Sequence, residues 1–117
     1  MRVLVCGSRD FTRSKRLGEV LDAYADLYEI EAVIEGCAVG ADRMAEGWAR
    51  LRGVPVEHYP ALWLVQGRGA GAIRNAAMLA AKPDLVLAFY RNRLEPSPGT
   101  RHMVSLARGA GVEVVLA

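Results

Sequence analysis

Two arginines are the residues of this sequence best suited to binding an anion. Arg9 follows a glycine at the end of an apolar run, and Arg74 lies just beyond a second glycine-containing segment. A guanidinium group presents planar, paired donors that match the oxygens of a phosphate. Both arginines are therefore candidates for phosphate recognition. The alternative interpretation is solvated surface charge, which is the usual state of an arginine.

The segment EGCAVGAD, residues 35–42, joins an apolar run to an amphipathic one. Gly36 and Gly40 allow a ligand to approach the backbone, and a helix that begins after them leaves unpaired N–H groups with partial positive charge. We therefore predict an anionic ligand against Gly36, Gly40, Ala41 and Asp42. An ordinary strand-to-helix turn with Asp42 as the N-cap explains the same segment. As a ligand contact, Asp42 would accept a hydrogen bond from a ribose hydroxyl.

Small and polar residues near other strand ends complete the predicted ligand site. The hydroxyls of Ser8 and Thr100 can donate to a phosphate, although both residue types also cap helices. Gly7 and Gly99 directly precede them and open the backbone there. Asn75 either contacts a base or sugar edge or orients its own loop.

Catalytic residues are not identified by the sequence. Arg74 and Glu35 are the candidates, but a single carboxylate without a partner is a poor signal for acid–base catalysis. Trp63 either stacks on a base or packs on the domain. His58 and His102 have no partner that the sequence identifies, and we interpret both as bystanders. No Walker lysine loop, Ser-His-Asp arrangement or paired carboxylate motif occurs, so the sequence supports nucleotide binding better than any reaction.

Short apolar runs alternate with amphipathic segments along the chain. Strands are predicted over residues 2–7, 32–36, 54–59, 84–90 and 112–116. Helices are predicted to begin near residues 14, 42, 73 and 99, and the glycine-rich residues 60–72 are predicted to form an irregular loop. In the third helix, the predicted buried face consists of Ile73, Ala76, Ala77 and Ala80. This alternation indicates a Rossmann-like three-layer α/β sandwich of about five parallel strands, which binds ligands at the carboxyl ends of its strands.

Length and composition limit the classes of protein to which this chain can belong. The 117 residues fit one domain, 1–117, and a formal net charge of +2 is too small to indicate nucleic acid or a membrane. Cys6 and Cys37 form no CxxC motif and have no histidine at metal-ligand spacing, so we expect reduced thiols and no metal site. Because no segment has the length of a signal peptide core or a membrane span, we expect a cytoplasmic protein.

Considered together, these segments resemble the YspA/YpsA-related branch of the SLOG superfamily, whose members occur in bacteria and their phages. The resemblance runs from end to end in the same order and spacing. It is carried by Gly7-Ser8-Arg9-Asp10-Phe11, by residues 35–42 with Ala45, by Pro60, Trp63 and Gly67, by Ala70-Gly71, Arg74-Asn75 and Met78, and by Asp84, Ala88-Phe89 and Gly99-Thr100. It implies a Rossmann-like domain that binds a nucleotide or a derivative such as ADP-ribose, without a cofactor, and that forms a homo-oligomer.

The superfamily also implies two alternatives. Phosphoribohydrolases of this superfamily cleave the N-glycosidic bond of nucleoside monophosphates, using an arginine that Arg74 resembles and a glutamate three residues after a Gly-Thr pair. Here the Gly-Thr pair is Gly99-Thr100, but the later position is Met103, whose thioether cannot replace a carboxylate. Hydrolysis would then need Glu35 or Asp42. Binding of single-stranded DNA, as by DprA, is the third alternative, and Tyr90, Arg91, Arg93 and Arg101 would contribute to its groove.

Overall fold

Five parallel strands form one sheet in the computed structural model, which describes residues 1–91 and 97–117. The strands are β1 (Arg2–Gly7), β2 (Ala32–Glu35), β3 (Val56–His58), β4 (Leu85–Phe89) and β5 (Glu113–Leu116). Their order across the sheet is β3-β2-β1-β4-β5. The predicted Rossmann-like α/β architecture is therefore confirmed. Arg93, which the sequence assigned to a possible DNA-binding groove, lies outside the described residues.

Helices cover both faces of this sheet. They are α1 (Ser14–Leu27), α2 (Ala41–Arg52), α3 (Trp63–Gln66), α4 (Ala70–Ala80) and α5 (Pro98–Gly109), and a 3₁₀ turn, Gly67–Gly69, joins α3 to α4. Side chains of α1 and α2 form the core on one face, and side chains of α4 and α5 form the core on the other. Among the described residues, no helix is both long and apolar enough to cross a membrane.

The central strand β1 and its neighbour β4 are apolar because both of their faces are covered. Val3, Leu4 and Val5 of β1 are completely buried, and every residue of β4 is buried as well. Such continuous apolar runs are typical of parallel strands between two helical layers.

The order of the strands reverses beside β1. The chain passes from β1 to β2 and β3 on one side, and it then returns to place β4 on the other side of β1. Helix α1, which follows β1, packs on one face, whereas α5, which follows β4, packs on the opposite face. The two connections therefore diverge and leave a crevice at the carboxyl ends of β1 and β4.

Helix α4 differs from the sequence prediction. It begins at Ala70, and α3 with the 3₁₀ turn occupies most of the segment predicted as a loop. The predicted buried face is wrong, because Ile73 is half exposed and Ala76, Ala77 and Ala80 are exposed. The inward face carries Ala70, Asn75 and Met78 instead. Polar contacts made by Arg74 and Asn75, described below, turn this face toward the sheet.

We expect substitutions of two glycines to change stability in opposite directions. A Cβ atom at Gly7 would lie 2.5 Å from the carbonyl oxygen of Phe89 and 2.6 Å from the Cβ atom of Ala41, whereas a Cβ at Gly47 has open space. Gly7→Ala is expected to lower the free energy of unfolding by about 1–3 kcal/mol through overpacking. The control Gly47→Ala, within α2, is expected to raise it by about 0.5–1 kcal/mol. Urea unfolding checks both values, and equal stability of the two variants would contradict the tight contact at Gly7.

Candidate functional site

A cleft of about 530 Å³ lies at the carboxyl end of β1, between the loop after β2 and the N-terminal turns of α4 and α5. Most of the predicted ligand-binding residues line it. They are Gly7, Arg9, Asp42, Arg74, Asn75, Gly99 and Thr100. The fold thus brings together residues from four separate segments, while their contact with a ligand stays a prediction.

The other four predicted residues do not line the cleft. Ser8 and Ala41 are buried, and a Cβ atom at Gly40 would lie 2.5 Å from the carbonyl oxygen of Ser8. Gly40 also has a φ of 84°, a left-handed conformation that favours glycine. Gly36 packs against the guanidinium of Arg74, because a Cβ there would lie 2.3 Å from Nη1. These residues shape the wall of the cleft from behind.

Asp42 is not the N-cap of α2. That helix begins at Ala41 with Gly40 in the N-cap position, and the Asp42 side chain turns toward the preceding loop. Its Oδ2 atom accepts hydrogen bonds from the backbone N–H groups of Gly36, at 3.2 Å, and Ala38, at 3.3 Å. The N-cap interpretation is therefore wrong, and the carboxylate instead holds the loop between β2 and α2.

Burial changes the acidity of Asp42. Loss of solvation raises the pKa of its carboxyl to about 6, against the opposing effects of the Ala38 amide and the Arg74 guanidinium. A carboxyl with a pKa near neutrality can donate or accept a proton at physiological pH. Asp42 is thus the carboxyl group of the cleft whose acidity is suited to proton transfer.

A chain of hydrogen bonds crosses the floor of the cleft. The Arg74 Nη1 donates to the carbonyl oxygen of Gly36 at 2.7 Å, and its Nε donates to the Asn75 Oδ1 at 3.0 Å. The Asn75 Nδ2 in turn donates to the carbonyl oxygen of Gly99 at 3.2 Å and lies 3.0 Å from the His102 Nδ1. The loop after β2 is thereby connected to the first turn of α5. The bystander interpretation of His102 is wrong.

Arg9 and Trp63 border the open side of the cleft. The Arg9 side chain is exposed and makes no ion pair or hydrogen bond with the residues that the structure describes. Trp63 is 48% exposed, and its ring packs on Gly71, where a Cβ would lie 3.3 Å from the ring. The Trp63 ring therefore packs on the domain with one part and lines the cleft with another.

Glu35 lies behind the loop and does not line the cleft. Its carboxylate is completely buried and accepts a hydrogen bond from the backbone N–H of Cys37 at 2.6 Å. The His58 Nδ1 lies 2.5 Å from its Oε1. The bystander interpretation of His58 is therefore wrong. Sequence reasoning missed this contact because it depends on the register of β2 against β3, which pairs Glu35 with His58 across 22 intervening residues.

Cys37 lies next to both Glu35 and His58. Its Sγ lies 3.5 Å from both the Glu35 Oε1 and the His58 Nδ1. Burial and the neighbouring Glu35 raise the pKa of the Cys37 thiol to about 11, so the thiol is protonated at neutral pH. Both cysteines of the chain are free thiols, as the sequence predicted.

Met103 occupies the position at which the related hydrolases carry a glutamate. Its side chain is completely buried in the core beneath α5 and does not line the cleft. The cleft therefore receives no carboxylate from α5 at this position.

Comparison with known sequences places this geometry in a family. The sequence profile of the YspA, cpYpsA-related SLOG family matches residues 1–65, which run from β1 through α2 and β3. The chain belongs to this family. It is also similar to the Gene 61 protein of Mycobacterium phage D29, with 39% identity over 123 residues that cover 97% of this chain and 94% of the phage protein. Membership of the SLOG family supports a nucleotide-related binding or processing role.

The raised pKa of Asp42 predicts a pH-dependent stability that Asp42→Asn removes. Between about pH 4 and pH 6 the folded protein keeps a proton on Asp42 that the unfolded chain has released. The Asp42 contribution therefore lowers the free energy of unfolding as the pH rises, by up to about 3 kcal/mol at pH 7. Because both amides bond the same oxygen, the isosteric asparagine can keep both hydrogen bonds.

Denaturant unfolding of both proteins at pH 4 and pH 7 measures this effect. The stability of Asp42→Asn relative to the parent is expected to be higher at pH 7 than at pH 4, and taking the difference cancels the other titrating groups. A difference that does not change with pH would contradict the raised pKa.

Proposed function

We propose that this SLOG protein binds a nucleotide or nucleotide-derived ligand, of the ADP-ribose or signalling-nucleotide type, in the cleft at the carboxyl end of β1. The observation that carries the proposal is the convergence of Arg9, Arg74 and the first turn of α5 on one cleft. Two guanidinium groups and the N-terminus of a twelve-residue helix are complementary to a phosphate. The Arg9 guanidinium, which forms no ion pair with the described residues, carries the charge available to a ligand.

The remaining walls of the cleft suit the other parts of a nucleotide. A volume of about 530 Å³ lies within the usual range of small-molecule sites, about 300–1,000 Å³. The half-exposed ring of Trp63 offers a surface for stacking on a base. Asp42 and Asn75 present polar side chains for the sugar or base, and Gly99, where a Cβ atom would meet open space, leaves the backbone accessible.

Hydrolysis of a nucleoside monophosphate is the second candidate function. The pKa of Asp42, raised to about 6 within the cleft, favours it, because a general acid or base works best near its own pKa. Met103 and Glu35 do not line the cleft, and the other lining carboxylate, Asp10, is exposed and paired with Arg91, so we assign this role to Asp42. Release of free base from AMP separates this function from simple binding.

Arg9→Ala is expected to weaken ligand binding without reducing the stability of the unliganded protein. A charged hydrogen bond contributes about 1.5–3 kcal/mol, so loss of the proposed bond between Arg9 and the ligand phosphate is expected to weaken affinity by about 10- to 150-fold. The matched control is Arg43→Ala, which removes an exposed arginine from α2 away from the cleft. Thermal unfolding and calorimetry with AMP, ADP, ADP-ribose, NAD and cyclic dinucleotides check the expected result.

Three outcomes of this experiment are informative. A ligand that stabilises the parent and the Arg43→Ala protein, but not Arg9→Ala, supports binding in the cleft. Mass spectrometry of the AMP samples then detects free base only if the protein is a hydrolase. A ligand that stabilises all three proteins equally contradicts the proposed site. The same conclusion follows if no ligand of the panel stabilises the parent protein.

We also propose that the protein is a cytoplasmic homodimer. The dimer is supported by a run of exposed apolar residues at α3, where Leu62, Leu64 and Val65 are 49%, 104% and 82% exposed. Exposed apolar runs of this kind mark interaction surfaces. Residues 61–67 contain no charged side chain, so a second copy meets no charge repulsion there.

The proposed cytoplasmic location is supported by the two free thiols, which persist in a reducing compartment.

A charge in α3 is expected to disrupt this dimer. Leu64→Glu buries a carboxylate in the proposed interface and should yield a monomer, because an unpaired buried charge is strongly unfavourable. Leu51→Glu is the control, since Leu51 is equally solvent-accessible at 90% but lies in α2. Light scattering coupled to size-exclusion chromatography measures the mass. A monomeric parent protein, or a Leu64→Glu dimer, would contradict this interface.

A further inference from the structure

Three residues with metal-binding side chains meet on the far side of the loop from the cleft. One ligand atom from each of Glu35, Cys37 and His58 lies within 4.8 Å of the other two. None of the three lines the nucleotide cleft, and the proposed nucleotide binding uses none of them. The cluster combines a carboxylate, a thiol and an imidazole, which are the three kinds of side chain that bind zinc in proteins.

The fold brings the side chains of Glu35, Cys37 and His58 together. Glu35 and His58 are direct partners in the register of β2 and β3, so their side chains emerge on the same face of the sheet. The turn that follows β2 brings Cys37 back toward Glu35, and the hydrogen bond from the Cys37 N–H to the Glu35 Oε2 holds this turn. The Glu35 Oε1 thereby faces both the thiol and the imidazole.

The distances between the ligand atoms are close to those of a tetrahedral zinc site. With Zn–S near 2.3 Å and Zn–N or Zn–O near 2.0–2.1 Å, neighbouring ligand atoms are about 3.3–3.6 Å apart. The Cys37 Sγ lies 3.5 Å from both the Glu35 Oε1 and the His58 Nδ1. The third pair, the Glu35 Oε1 and the His58 Nδ1, is 2.5 Å apart and would separate by about 0.8 Å around an ion. The His58 side chain is 40% exposed and has room for this movement.

We propose that Glu35, Cys37 and His58 bind a zinc ion through Oε1, Sγ and Nδ1, with the fourth coordination position open toward solvent. The mixed nitrogen, sulfur and oxygen set favours Zn²⁺ over Mg²⁺, which requires oxygen ligands. Zn²⁺ replaces two protons, the one on the Cys37 thiol and the one between the His58 Nδ1 and the Glu35 Oε1, and both leave through solvent so that a thiolate, a carboxylate and an unprotonated Nδ1 bind the ion. Because Glu35 is completely buried whereas His58 is exposed, the ion enters from the His58 side.

Metal titration of the full chain tests the site directly. After removal of metals with a chelator, the protein is titrated with Zn²⁺ by calorimetry, with Mg²⁺ as the negative control, and with Co²⁺ by absorption spectroscopy. We expect one equivalent of Zn²⁺ and no Mg²⁺. Bound Co²⁺ should show a near-ultraviolet thiolate-to-metal charge-transfer band and the visible bands of a tetrahedral ion.

Single substitutions identify the ligands. Cys37→Ser should abolish the charge-transfer band, and His58→Gln should weaken Zn²⁺ affinity by at least about tenfold, since loss of an outer-shell partner alone costs that much. Cys6→Ala is the matched thiol control and should keep both the band and the affinity. Circular dichroism establishes that each variant is folded.

Other results would overturn the proposal. If Zn²⁺ does not bind at micromolar concentration, or if bound Co²⁺ lacks the thiolate band in the parent protein, the cluster is a hydrogen-bonded group only. The same conclusion follows if Cys37→Ser keeps the band. These readings do not involve a nucleotide, so they are independent of the result at the cleft.

Discussion

The structure around the cleft depends on close backbone contact between the end of β1 and the start of α2. Gly40 lies against the carbonyl groups of Ser8 and Arg9, and Gly7 lies against Ala41 and the carbonyl group of Phe89. Each contact leaves no room for a Cβ atom. Because these backbones touch, the loops after β1 and β2 are held together, and residues of both line the cleft beside the N-terminal turns of α4 and α5.

Two oppositely charged side chains then hold the loop after β2 at a single residue, Gly36. Asp42 accepts from the N–H of Gly36, while Arg74 donates to the carbonyl oxygen of the same residue. A side chain at this position would have to displace the Arg74 guanidinium, which occupies the space next to Gly36. The loop therefore derives its position from α2 on one side and from α4 on the other. Arg74 consequently has a structural role in addition to the proposed contact with phosphate, which is why Arg9 is the cleaner probe of binding.

The sequence was sufficient to predict the sheet, because buried parallel strands and amphipathic helices have distinct periodicities. It also predicted seven cleft residues correctly as neighbours, since the carboxyl ends of parallel strands converge. The buried face of α4 was predicted wrongly for a physical reason. Arg74 and Asn75 face inward because their hydrogen bonds to Gly36 and Gly99 satisfy them, and this leaves Ile73 outside. The spacing of apolar residues cannot reveal a helix face whose polar side chains are buried because they form hydrogen bonds.

The contact of His58 with Glu35 was hidden for a different reason. It follows from the pairing of β2 with β3, a long-range property that no local pattern records. The role of Asp42 was hidden at shorter range, because an acidic residue in the first turn of a helix has the same sequence signature whether it caps that helix or bonds a preceding loop.

The loop after β2 has two sides with different chemistry, and neighbouring residues belong to alternate sides. Glu35 and Cys37 face His58, whereas Gly36 contacts Arg74 and Ala38 borders the cleft. Replacing the Cys37 side chain removes a group that faces His58 and does not line the cleft, whereas replacing Glu35 also removes the acceptor for the Cys37 N–H and so reaches the backbone that both sides share.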